Sequence, residues 1–72
     1  MIYHVLVRLE KTDTGYSAYA PDMPGVIATG SSVYETKMSM VEAIGFHIKG
    51  MKEDGDEVPS LGVHDSVFAV EA

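Results

Sequence analysis

The sequence predicts a small α+β domain with the element order β-β-β-α-β, and three observations carry that expectation. Residues 2–9 and 16–20 are rich in β-branched and aromatic side chains that alternate in hydropathy, which is the period of a strand. Residues 21–25, Pro-Asp-Met-Pro-Gly, interrupt the ladder, because proline has no backbone N–H to donate. A Ser32/Glu35 pair then opens a long stretch whose apolar residues recur at helical spacing.

In the first strand, Tyr3, Val5, Val7 and Leu9 share an apolar face, and Ile2, His4, Leu6 and Arg8 share a mixed one. Residues 10–15 read as a polar turn ending in Gly15, so a hairpin follows. Tyr16, Ala18 and Ala20 form one face of the second strand, opposite Ser17 and Tyr19. After the stiff turn, residues 26–29 form a short third strand. Ser32 is the helix cap: its hydroxyl accepts from the Glu35 N–H, and the glutamate reaches back. The helix is expected to run to Met51 or Glu53, with Val33, Met40, Val41, Ile44, Ile48 and Met51 as its apolar stripe. Gly45 and Gly50 mark places where a neighbour comes close, and Gly55 is the stop signal. Residues 53–65 are an acidic loop containing Pro59, and residues 66–71 return to strand character.

With the helix as a crossover, the right-handed rule places the last strand beside the first and parallel to it. The expected fold is therefore a mixed four-stranded sheet of order 3-2-1-4 with one helix on one face. The other face is open, and Ile2, Leu6 and Tyr19 are the candidates for a subunit or partner contact there.

The 72 residues are read as a single domain, 1–72. A core of this size supplies roughly 3–5 kcal/mol at most, and with no cysteine no disulfide supports it. Self-association into a dimer or tetramer is the expected remedy. Hydrophobic residues make up 46% and charged residues 22%, a globular rather than a disordered composition. The net charge of −6 argues against gripping nucleic-acid phosphates, which takes a lysine and arginine surface, and it suits a basic partner. No apolar run approaches the ~18 residues of a membrane span, and the N-terminus lacks the basic-then-apolar order of a signal peptide. The expected location is the cytoplasm.

No arrangement for covalent chemistry stands out: there is no cysteine nucleophile, no G-x-S-x-G and no phosphate-cradling glycine loop. His4, His47 and His64 lack the i, i+4 spacing of a helical metal site. The sharpest catalytic alternative is a metal or acid–base site built from His64 with Asp65 or Asp56. The carboxylates Glu53, Asp54, Asp56 and Glu57 cluster at the helix end without the spacing of a calcium loop, and they read as an acidic patch. No cofactor is expected.

Gly15-Tyr16, Tyr19, Pro21-Asp22-Met23-Pro24-Gly25, Thr29-Gly30-Ser31, the Ser32/Glu35 helix start, and Glu53-Asp54-Gly55 followed by Val58-Pro59 together resemble the HicB antitoxin family along almost the whole chain. The resemblance implies a partial RNase H-like fold and a non-enzymatic role: binding a HicA-like toxin, a small basic mRNA-cleaving ribonuclease, and blocking its active site. Many members of that family carry a second, DNA-binding domain, and no such separate domain is expected here. Val26 stands where relatives often have cysteine, and Thr36-Lys37 stands where alanine is usual. An RNase H-like nuclease needs a carboxylate inside its first strand, and residues 2–9 contain none. The expected partner-binding residues are Asp22, Met23, Glu53, Asp54, Asp56 and Glu57, since a proline-stiffened turn has little ordering entropy left to lose on binding. The rival readings are an orphan homo-oligomeric binding module and a degenerate metal-dependent hydrolase.

Overall fold

The structure, a computed structural model, describes residues 2–59 and 67–71. Among these residues five strands and one helix follow in the order β1 (Ile2–Leu6), β2 (Arg8–Lys11), β3 (Tyr16–Tyr19), β4 (Ile27–Gly30), α1 (Val33–Glu53) and β5 (Val67–Glu71). The expected first strand is thus two. The break falls at Val7, where the chain changes ladder partner: Leu6 lies opposite Val67, whereas Arg8 lies opposite Tyr19. Side-chain alternation runs through the break. Val5 and Val7 are buried in the core and Tyr3 packs against it, while Leu9 reaches solvent.

The strands form two sheets, β1-β5 and β2-β3-β4, rather than one mixed four-stranded sheet. Every described pairing is antiparallel. β5 does lie beside β1, but it runs against it, with Ile2 opposite Glu71 and Leu6 opposite Val67. The crossover rule assumes that the chain passes from the helix end straight into the next strand. Here residues 54–66 separate α1 from β5. That is ample chain to travel the roughly 17 Å of a five-residue strand and enter β5 from its other end.

The core lies between α1 and the strands. Met40, Ile44 and Ile48 of the helix meet Val5, Val7, Ala18, Ala20, Val26 and Val70. The expected stripe is present, but it begins one turn later than Val33, which is 38% exposed. Thr36 takes the first core position instead: it is fully buried, and its hydroxyl donates to the Ser32 carbonyl at 2.7 Å. Threonine can hide its hydroxyl on the carbonyl four residues back, so a polar residue sits in the stripe with no polar atom left unpaired. Thr36 also explains Gly30. A Cβ at Gly30 would stand 2.6 Å from Thr36 Oγ1 and 2.9 Å from Thr36 N, closer than atoms can approach. Gly15 in turn abuts the Gly30 carbonyl, so hairpin, edge strand and helix start meet through two residues without side chains.

Both helix ends are closed by local bonds. Ser32 Oγ accepts from the Glu35 N–H at 3.1 Å, as expected, while the Glu35 carboxylate takes the Ser31 hydroxyl at 2.6 Å. At the other end the Gly55 N–H donates to the Lys52 carbonyl at 3.2 Å, and the Asp56 N–H donates to that of Met51 at 2.9 Å. This is the paired closure of a Schellman turn, and it needs a left-handed residue just past the cap. Gly55 supplies that residue with φ +76°.

Candidate partner-binding surface

The six residues expected to meet a partner fall on two elements, the β3–β4 turn and the C-terminal end of α1. The turn is a pair of tight bends. The Met23 N–H donates to the Ala20 carbonyl at 3.0 Å, and the Val26 N–H donates to that of Met23 at 3.1 Å. Each bend has proline as its second residue, where a φ near −65° is required. The second places Gly25 third with φ +88°, as a type II turn demands. A bond from the Ala20 N–H to the Val26 carbonyl, 3.3 Å, ties the base together.

This geometry separates the two residues singled out in the turn. Asp22 is exposed. Met23 is 1% exposed and belongs to the core, so it anchors the turn from beneath and does not offer its side chain to a partner. Methionine fills irregular gaps well, which suits Met23 to this buried place beneath the turn.

Glu53, Asp54, Asp56 and Glu57 are all exposed. The helix end they decorate is closed by backbone bonds, so the carboxylates play no part in the cap. Glu53 and Asp54 also sit at the negative end of the helix dipole, which costs a few tenths of a kcal/mol up to about 1 each. The acidic end therefore carries charge that folding does not require. Two cations, by contrast, are engaged within the chain: Lys11 stands 5.4 Å from the Tyr16 ring centre, and Lys37 stands 5.7 Å from that of Phe68.

A third surface was missing from the sequence reading. On the side of α1 away from the core, Tyr34 is 74% exposed, Met38 52% and Phe46 82%. Ile27, on the edge strand β4, is 62% exposed. Ile27, Ala28, Thr29, Ser39, Glu42, Ala43 and Phe46 line an open groove between β4 and the helix. Of the residues expected on the open sheet face, Ile2 is exposed, while Leu6 and Tyr19 are half-buried.

Among the described residues, no three histidine, aspartate or glutamate side chains converge to hold a metal ion. His64 and Asp65 lie outside the described residues, and Asp56 is exposed. No helix among the described residues is long and apolar enough to cross a membrane.

The described residues thus form a small α+β domain whose surface carries an acidic helix end and exposed apolar side chains. Comparison with known proteins gives the family. Residues 3–70 match the model of the HicB-like antitoxin of bacterial toxin–antitoxin systems, and the chain belongs to that family. The N-terminal domain of the Burkholderia pseudomallei antitoxin HicB is similar in structure, with a TM-score of 0.68 and 26% identity over 89% of this chain and 74% of that one. A chain of the HicA3 and HicB3 toxin–antitoxin complex gives a TM-score of 0.64 and 25% identity, covering 99% of this chain and 96% of that one. An uncharacterized 14.9 kDa protein of Haemophilus phage HP1 is 41% identical over 59 residues, 82% of this chain. The present chain spans 43% of that phage protein's length.

Proposed function

We propose that this chain is an antitoxin that binds and neutralises a small, basic, HicA-type mRNA-cleaving toxin in the cytoplasm, without catalysing a reaction itself. The observation that carries this reading is the likeness of nearly the whole chain to one component of a toxin–antitoxin complex, joined to a net charge of −6. Asp22 and the carboxylates Glu53, Asp54, Asp56 and Glu57 are exposed and would meet the cations that such a ribonuclease presents to RNA. Charge of this kind sets encounter rate and orientation more than affinity, so apolar anchors are needed beside it. The chain acts as a homo-oligomer, in keeping with its small core, and does not itself grip DNA.

The test is co-expression of this chain with a short, basic HicA-type toxin. The expected result is rescue of growth and co-purification of the two proteins. Growth arrest that this chain fails to relieve, with no complex recovered, would overturn the reading.

A further inference from the structure

We infer that the free edge of β4, with the groove beside it, is a self-association surface at which two copies of this chain join their three-stranded sheets into one. Among the described residues β4 is the outermost strand of its sheet, paired with β3 on one side. An unblocked edge offers a row of backbone donors and acceptors to another strand. Proteins that keep such an edge single place lysine, proline or a bulge on it. β4, Ile-Ala-Thr-Gly, has none of these. It carries instead a β-branched Ile27 that is 62% exposed, beside a Phe46 ring that is 82% exposed.

Charge selects the occupant. Residues 23–34 form the longest run in the chain without a charged side chain, and β4 lies in its middle. A basic partner finds little there to attract it. A second copy, carrying −6 like the first, approaches most closely where both surfaces carry little charge. Beside β4 the groove is lined by Ala28, Ser39, Ala43 and Phe46, with Glu42 its one charged side chain, and on this helix side the small Ala28 leaves room for its counterpart from an identical edge.

Symmetry fixes the register. In an antiparallel pair related by a two-fold axis, each contact occurs twice, and residues directly opposite each other lie on the same face. Ala28 is half-buried on the core side, whereas Ile27 and Thr29 are exposed on the other. Pairing must therefore centre on a residue, not between two. Centring on Ala28 sets Ile27 of each copy opposite Thr29 of the other. The two helices then lie on the same face of a six-stranded sheet, flanking the axis.

The experiment is sedimentation equilibrium of the full chain over a range of concentration and salt, for the wild type and for Ile27→Lys, Phe46→Lys and Ile2→Lys. The wild type is expected to show a monomer–dimer equilibrium that tightens as salt rises, because salt screens the repulsion between two acidic copies. Ile27→Lys and Phe46→Lys should each weaken it by about tenfold or more, the scale of losing one anchor at an interface, even though the added lysine lowers the net repulsion. Ile2→Lys, an equally exposed apolar site on β1, should leave it unchanged. Both groove positions are exposed, so circular dichroism should show the wild-type fold in each. A wild type that stays monomeric throughout, a dimer indifferent to both groove variants, or one lost in Ile2→Lys would overturn the inference.

Discussion

The two faces of α1 differ in what they are for. The inner face places Thr36, Met40, Ile44 and Ile48 at 0% exposure, four residues apart, with every buried side-chain polar atom among the described residues paired. The outer face carries Met38 and Phe46 in water, with Glu35 and Glu42 beside them. Folding explains the first arrangement completely. It gives no reason for the second, since an exposed phenylalanine gains nothing from the core. The inner face serves the fold, while the outer face, like the acidic helix end, carries side chains that the fold does not use.

Substitutions on the two faces should separate these roles. On the inner face, Ile44→Ala or Ile48→Ala leaves a cavity in a packed core and should lower stability by about 2–5 kcal/mol, read from urea unfolding. Gly30→Ala, which drives a Cβ into Thr36, should cost roughly 1–3 kcal/mol by overpacking. Wild-type stability in this variant would show that the approach of β4 to the helix is looser than described. Loss of the cap in Ser32→Ala should cost about 1 kcal/mol. At Gly50 an added Cβ meets nothing within 4 Å, so Gly50→Ala should raise stability by up to about 1 kcal/mol through helix propensity. Smallest of all, Phe46→Ala should change monomer stability by no more than about 0.5 kcal/mol while weakening association. A large loss of stability there would break the comparison.

Much of the fold was legible because local rules and the final structure agree. The Ser32 cap, the helix end at Glu53 and the strand periods of residues 2–6 and 16–19 follow from hydrogen-bonding and hydropathy patterns that act within a few residues. The sheet arrangement did not follow, for a physical reason. Nothing in residues 2–9 announces that the ladder partner changes at Val7, and no local pattern within residues 67–71 sets the direction of β5 against β1. Gly45 illustrates the same limit. It was read as a place of close approach, and a Cβ there would stand 3.8 Å from Val70, ordinary contact distance, whereas Gly50, read the same way, faces open space. The surface was the least legible part. Met23 and Asp22 look alike as members of a proline turn until the bends are closed. Phe46 lies outside the apolar stripe, and how exposed it is emerges only when the helix is seated on its sheet. The acidic helix end was visible as composition, but what it touches is decided by another molecule.

Masking of a basic ribonuclease is the central role proposed for this chain. The most direct measurement titrates the purified chain into an RNA-cleavage assay driven by a small basic HicA-type ribonuclease, at low and high salt. The prediction is complete loss of cleavage once the chain is in stoichiometric excess, with weaker inhibition as salt rises, because screening weakens attraction between unlike charges. Cleavage that persists at saturating chain, or RNA cleavage by the chain alone, would contradict it.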